Sequence, residues 1–529
     1  MQRTVVLIIV DTLRFDVMAD ESLRQSMAPN LDRLIREGSL ARIVANASNT
    51  QFVMPSLLTG TYPLDHGGYN TGCKRRPPGF PERFRAAGYR TALFSNCVLY
   101  NRDLGFDVGF DAAVVPINSR RALTQDIEYR VLPYLRRWRR GEVSESEVRA
   151  FIAGEYREIV GHLHDVCAGA GRIPREMPDL AGRDADLARL CAAETALIDT
   201  DPMAVARRLE ATPEAFYWTV LGRPNVSARP RLLAARVRNR AWRAWSALAG
   251  PGGYSSDLFD AHDTLTDEAM PAIDRLLSGN SAETNLMAVL HMMDVHTPVL
   301  LENQWRRRPD LVKQREAERN PFRDRGDRLA AYLGAVSSLD RLIGELVTSL
   351  RRSRTWENTA VFVTSDHGTT MPELDGMAVP NLPDRFEPQD LHVPVIAAGG
   401  LAPTLAGPEA LFDSRDLGAT MLRLAGVEDA ARFGGISMAD GAGRSVVVSE
   451  NGGRGRLDLA RDDLNFAVTG KKGRLLARLT GDALSIVKRW GGDERDDGDL
   501  LAGLWRERGD ILRSRGVHDG ANQSGESLV

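Results

Sequence analysis

VVLIIVDTLRFD (Val5–Asp16) and VFVTSDHG (Val361–Gly368) decide the fold. Both open as apolar runs rich in β-branched residues, and both break on polar residues that include a carboxylate, Asp11 in one and Asp366 in the other. A run that is apolar at every position is the pattern of a strand buried on both faces of a parallel sheet. A carboxylate at the end of such a strand has to be paired, hydrogen-bonded or placed on a metal, because burying a bare charge is costly. A capped turn after Asp11, or a hydrogen-bonded Asp-His turn at Asp366-His367, also satisfies that requirement when either stretch is read alone.

Working outward, the periodicity predicts a helix over Pro29–Glu37, with Leu31, Leu34 and Ile35 on one side and Gly38 as its stop. A helix at Pro81–Ala87 feeds a strand at Arg90–Ser95. Strands follow at Leu286–Leu290, Ala360–Thr364 and Val393–Ala397, with helices at Asp327–Arg351 and Ser414–Ala425. Strands alternating with helices predict an α/β fold with a doubly wound, mainly parallel sheet. Ligands of such sheets bind beyond the carboxyl ends of the strands. Asp11, the segment His291–His296 and the pair Asp366-His367 all fall there. Residues 118–262 are rich in Arg, Ala, Leu and Glu without a convincing strand and read as a helical insertion in a catalytic domain spanning 1–440. Residues 441–529 read as a small C-terminal α+β subdomain, with strands near Ser445–Ser449, Phe466–Thr469 and Leu475–Leu479 in an antiparallel sheet and a polar tail.

The composition narrows the class. The chain has 529 residues, 43% hydrophobic and 26% charged, with a net charge of −3. That balance gives no global attraction to nucleic acid or membrane, and no nucleic-acid partner is expected. Cys73, Cys97, Cys167 and Cys191 show no CxxC spacing and read as reduced thiols. The apolar run Val5–Val10 is too short for a signal peptide, and no stretch approaches the ~20 residues of a membrane span. A cytoplasmic protein is the expectation. The basic stretch RPRLLAARVRNRAWRAW (Arg229–Trp245) reads as a solvated helix capping the site, or as a peripheral surface for a membrane, nucleic acid or partner.

Two carboxylates and an imidazole leaving strand ends suit a divalent ion. Asp11, Asp366 and His367 would supply three ligands and leave a position open, the layout of a catalytic site. NTQFVMPSLLTGTYPLDHG (Asn49–Gly67) offers a fourth. Thr50 stands ahead of an apolar turn, Phe52–Pro55, and a helix-like run, Ser56–Gly60. It is either a plain loop-to-helix junction or a hydroxyl nucleophile at a helix N-terminus, activated by the metal.

Taken together with APNLDRLIREG (Ala28–Gly38), GYRTALFSN (Gly88–Asn96), LHMMDVHTP (Leu290–Pro298), LHVPVIAAGG (Leu391–Gly400) and DLGATMLRLAGV (Asp416–Val427), these stretches resemble the alkaline phosphatase superfamily, in its sulfatase-like and phosphodiesterase-like branch. The resemblance covers most of residues 1–118 and 262–430. It implies a nucleophile nine residues before the Thr of a Thr-Gly pair; Thr59-Gly60 is that pair, and nine back is Thr50. The Pro expected two residues after the nucleophile is absent, and Pro55 lies five after. Sulfatases of this fold use a formylglycine made from Cys or Ser, and Thr50 cannot become that aldehyde. A threonine resembles the phosphodiesterases and phospho-group transferases instead.

The resemblance further implies His296 as a substrate-contacting or leaving-group histidine and His392 as a phosphate contact or general acid, with a surface turn as the alternative for His392. Asn70, Asn96, His291 and Asp294 are implied substrate contacts. Asn70 is one residue short of the usual spacing after His66-Gly67, and His291 reads equally as a core histidine. Asp294 and His296 depart from the Asp-x-x-x-His pair of two-metal members, which favours one ion, whether Zn, Mn, Mg or Ca. Arg14 and Asp16 are expected to brace their loop, and Ser56 to cap the helix behind Thr50. The expected activity is metal-dependent hydrolysis of a phosphodiester or phosphonate monoester through phospho-Thr50. Its substrate would be a small molecule or a glycan or lipid head-group ester. A phospho-group transferase, a sulfuric-ester hydrolase and an inactive binding module are the alternatives.

Overall fold

A computed structural model describes residues 3–97, 104–114, 131–167, 184–211, 266–278, 284–296, 326–353, 356–371, 384–427, 432–439, 441–452, 457–492 and 494–518. The basic stretch Arg229–Trp245 lies outside these residues.

The strands are β1 (Thr4–Val10), β2 (Ser39–Val44), β3 (Arg90–Ser95), β4 (Ala112–Val114), β5 (Leu286–Met292), β6 (Thr359–Thr364) and β7 (His392–Ala398), followed by β8 (Val446–Asn451), β9 (Leu464–Gly470), β10 (Gly473–Thr480) and β11 (Ala483–Gly491). The first seven form one sheet in the order β2-β7-β6-β1-β5-β3-β4. β1 pairs in parallel with β5 and β6, and β3 with β5 and β4. β7 runs antiparallel to β6 and to β2. The edge strand β2, SLARIV, carries no continuous apolar run, so its pattern did not announce a strand. β8–β11 form a separate antiparallel sheet of four strands.

β1 lies in mid-sheet, and every one of its residues is buried. Register then places the polar ends. Ile9 pairs with His291 on one side and Thr364 on the other. Continuing that register by two residues brings Asp366 level with Asp11.

Five helices matter for the site: α1 (Pro29–Glu37), α2 (Thr50–Thr59), α3 (Gly326–Ser353), α4 (Ser414–Ala425) and α5 (Glu494–Ser514). α1 and α3 cover one face of the main sheet, where Leu31, Leu34, Leu339 and Ile343 pack on Val6, Ile8 and Val361. α4 covers the other with Leu417, Met421 and Leu422. α2 is sandwiched between the two sheets. Its Met54, Leu57 and Leu58 join the core of the main sheet, and its Phe52 and Val53 join the core of the C-terminal sheet and α5. A helix apolar on all sides is one packed on all sides.

The helices described between residues 131 and 211 share an apolar cluster of their own, centred on Tyr156, Ile152 and Leu209. Among the described residues, no helix is long and apolar enough to cross a membrane.

Candidate active site

Asp11 leaves β1 through a tight turn. Thr12 adopts φ 63°, an outlier for a β-branched residue. The turn is over-determined: Thr12 Oγ1 donates to Val295 O at 3.2 Å, and Leu13 N donates to Ser365 Oγ at 3.0 Å. Tyr332 of α3 accepts from Arg14 N and donates to Thr12 O, each at 3.0 Å. Arg14, itself buried, pairs with Asp16. Strain of this kind persists where the surroundings enforce it, commonly at functional sites.

Asp366 follows β6. Its Oδ1 accepts from His367 N at 2.8 Å. Gly368 allows the close approach that seats the pair, since a Cβ there would lie 2.0 Å from Gln389 O. His367 Nδ1 sits 2.7 Å from Gly368 O, which can only accept, so Nδ1 carries the proton. The lone pair of Nε2 therefore faces the site, 3.5 Å from Asp366 Oδ2 and 3.9 Å from Asp11 Oδ1.

Thr50 opens α2, which thus begins ahead of Phe52–Pro55 and does not wait for Ser56. Asn49 is the cap, its side chain accepting from Gln51 N. Ser56 is buried inside the helix and caps nothing at that end, a correction to the sequence reading. Thr50 Oγ1 lies 3.0 Å from Asp11 Oδ2 and 3.3 Å from His367 Nε2. The structure thus brings Asp11, Thr50, Asp366 and His367 together at the N-terminus of a buried helix, where the orphan amides favour an anion.

His291, read from sequence as a substrate contact or a core histidine, is fully buried at the end of β5. Its ring, Asp11 and Asp366 each offer a ligand atom within 4.8 Å of one another. The donor chemistry suits a divalent ion. Asp11 Oδ1 and Asp366 Oδ2 are buried without a hydrogen-bond partner, an arrangement that is expensive unless a cation sits between them. Burial, and then the Asp366 charge, push Asp11 up to about 8. Burial pushes the same way on Asp366, but its neighbours His367 and His291, with hydrogen bonds from Thr50 and His367 N, outweigh it and hold that carboxyl below its usual value. Burial lowers His291 to about 4 and keeps it in the neutral form that ligates metals. His291 thus joins Asp11 and Asp366 as a candidate metal donor. Its place was hidden because the β1–β5 register is not visible in one dimension.

The remaining candidates divide. His296 is half-buried at the end of the β5 segment, close enough for its charge to act on His291. Asp294 is buried on the same segment. Asn96 Oδ1 accepts from Met293 N at 2.9 Å, so that part of its amide braces the β3 and β5 ends. Asn70 is buried, and neither its Oδ1 nor its Nδ2 is hydrogen-bonded. His392 is drawn elsewhere: its Nε2 accepts from Arg474 of β10. Burial, with Arg474 and Arg42, lowers it to about 2. A ring that stays neutral and is occupied by a guanidinium is no general acid, so its expected role is corrected.

Sequence reasoning missed Arg385. Its charge helps lower Asp11, and it holds Asp390 at 3.1 Å and Thr369 Oγ1 at 3.5 Å. No motif marked it; only the packing of its loop beside the two aspartates does.

The chain is similar in fold, over 97% of its length, to a 2-O GAG sulfatase, with 93% of that chain covered, 13% identity and a TM-score of 0.53. It is similar, again over 97% of its length, to the phosphonate monoester hydrolase of Agrobacterium radiobacter, with 96% of that chain covered, 14% identity and a TM-score of 0.50. No curated protein matches. The Sulfatase family model matches residues 3–152 and 214–427, more than half of the chain. The chain therefore belongs to the sulfatase family, within the sulfatase-like branch of the alkaline phosphatase superfamily.

Proposed function

We propose that this chain is a hydrolase of phosphoric esters, a phosphodiester or a phosphonate monoester, that works through a covalent adduct on Thr50. The observation that carries the reading is the Thr50 hydroxyl at the N-terminus of α2, within hydrogen-bond reach of both Asp11 and His367. Both neighbours are acceptors, so the hydroxyl proton has a destination without rearrangement. A threonine cannot supply the formylglycine of the sulfatases, which weighs against sulfuric esters.

Asp11, His291 and Asp366 would hold one divalent ion, with His367 and Thr50 at its border. Such an ion supplies positive charge that lowers the pKa of a nearby hydroxyl and offsets negative charge on the transferred group. Thr50 Oγ1 attacks phosphorus in line. The Oγ1–P bond forms, the P–O bond to the leaving alcohol breaks, and the Thr50 proton passes to Asp11 or His367. His296 gives the leaving oxygen its proton. Asn70, with both amide groups unspent, and the Arg385 guanidinium meet the charge on the phosphoryl oxygens, and stabilising that charge is usually what accelerates such reactions most. Water then attacks phosphorus and gives a proton to His296, while the Oγ1–P bond breaks and Thr50 Oγ1 recovers its proton from Asp11 or His367.

The test is hydrolysis of matched p-nitrophenyl esters (phosphate, phosphodiester, phosphonate and sulfate) by metal-loaded wild type and Thr50→Ala. Cleavage of a phospho-ester, with a loss of about a thousandfold or more in the variant, supports the reading. A sulfate ester as the best substrate, or equal activity in the two proteins, overturns it.

A further inference from the structure

We infer that Arg508, in the C-terminal helix α5, is a positioning residue for the loop that delivers Asn70 to the site. The inference rests on the reading of Thr50 and Asn70 given above. After α2 the chain runs from Thr61 to Gly72 along a path with four left-handed residues, His66 (φ 56°), Gly67 (φ 90°), Gly68 (φ 87°) and Gly72 (φ 56°). Three are glycines and cost little. His66 is not, and among the described residues only Thr12, beside Asp11, is another non-glycine with positive φ. Such a backbone needs its surroundings to hold it.

The C-terminal subdomain holds it. Arg508 Nη1 pairs with Asp65 Oδ1 at 2.8 Å, and Arg508 Nε pairs with Glu450 at the end of β8. Glu450 Oε2 in turn accepts from Leu64 N at 3.0 Å. Asp65 Oδ2 closes the turn by accepting from Tyr62 N at 2.8 Å. The Tyr62 ring carries the Arg508 guanidinium at 4.5 Å and that of Arg415 at 3.6 Å, and its hydroxyl donates to Glu507 Oε2 at 2.7 Å. Arg508 is only 3% exposed. α5 leaves helical geometry at that one residue, at φ −131° and ψ 17°. The helix thus bends where its side chain enters the loop.

The other end of the loop meets the nucleophile's helix. Tyr69 stacks on Phe52 in the first turn of α2, with ring centroids 3.7 Å apart. Thr50 is two residues before Phe52, and Asn70 follows Tyr69. A loop fixed by Arg508 at Asp65 therefore ends against the first turn of α2, the turn that Thr50 opens, with a buried Asn70 amide whose hydrogen-bonding capacity is unspent. Releasing Arg508 frees Asp65–Gly68 to relax and shifts Asn70, while the metal donors on β1, β5 and β6 stay in place.

The experiment is a double-mutant cycle of Arg508→Met with Asn70→Ala, read as kcat/KM on the best p-nitrophenyl ester and as affinity for inorganic phosphate, with bound metal measured in each protein. The expected loss in Arg508→Met is up to about a hundredfold, the scale of a misplaced contact, at unchanged metal content. The double variant should be no worse than Asn70→Ala alone. Arg508→Lys, which keeps the charge but loses the planar fork, should fall between wild type and Met. Should Arg508→Met fail to fold, Asp65→Asn replaces it in the cycle with the same expectation. Losses that multiply in the double variant, or an Asn70→Ala protein as active as wild type, overturn the inference. Those results leave the Thr50 reading standing, because that reading fails only through the Thr50→Ala comparison.

Discussion

Asp366→Asn separates the charge of the site from its shape. The substitution keeps Oδ1, which accepts from His367 N at 2.8 Å, and replaces Oδ2, the oxygen without a hydrogen-bond partner. In the metal-free protein above about pH 8, where Asp11 is ionised as well as Asp366, two carboxylates whose ligand oxygens lie within 4.8 Å repel each other by about 3.5 kcal/mol at an effective permittivity of about 20. The raised Asp11 value is the same repulsion, added to burial. The variant removes it, at a cost of about 1–3 kcal/mol for burying an amide N–H₂ if it finds no partner. His367 Nε2 at 3.5 Å and the Thr50 hydroxyl are the acceptors in reach. Above about pH 8 the metal-free variant should therefore melt at or above metal-free wild type. Added metal reverses the order. An ion at a hundred times its Kd stabilises wild type by about 2.7 kcal/mol, and the variant, lacking a ligand charge, gains far less. Thermal melts of both proteins, with chelator and across a series of Zn, Mn, Mg and Ca concentrations, read both effects. Equal metal-induced shifts in the two proteins would remove Asp366 from the ligand set. A chelated variant melting far below chelated wild type would refute the repulsion argument.

The depressed His392 value gives a pH prediction. Unfolded, it protonates near 6.5; folded, near 2. Below about pH 6.5 the unfolded chain therefore binds a proton that the native ring does not, so this stability is present above that pH and is lost as pH falls. The loss reaches about 2 kcal/mol at pH 5. His392→Gln should flatten the decline of the melting temperature between pH 6.5 and pH 5; an unchanged slope would contradict the assignment. Arg385→Gln should raise KM for an anionic ester by about tenfold, and it should also lower the chelated melting temperature, because it leaves the buried Asp390 carboxylate without its ion-pair partner. An unchanged KM in steady-state kinetics would place Arg385 outside substrate recognition.

Much of this was legible in one dimension, for definable reasons. β1 and β6 announce themselves because strands buried on both faces need an apolar residue at every position, and the carboxylates that end them have no neutral explanation together. α4 was readable to the residue, since Asp413 caps it and Gly426 ends it in the left-handed region. Its stripe of Leu417, Met421 and Leu422 has the period of a helix packed on one face. The start of α2 was misplaced because Pro55 suggested a turn, whereas the helix carries it inside, and both sheets pack on the surrounding residues. α5 was given no bounds because its sequence, ERDDGDLLAGLWRERGDILRS, is crowded with charge. Some of that charge is buried: Arg508 reaches carboxylates on β8 and on the loop after α2, which only the folded chain brings near. The surroundings of His291 and His392 were hidden for the same reason. The partners that set their roles, Asp11 for one and Arg474 for the other, are 280 and 82 residues away.

The most direct measurement is acid quenching during turnover of the best phospho-ester, followed by peptide mass mapping. The account predicts a phosphoryl-type adduct on the peptide that begins the α2 helix, localised to Thr50 and absent from Thr50→Ala. An active wild type whose adduct maps to another residue, or one that transfers the group directly to water with no adduct formed, would contradict it.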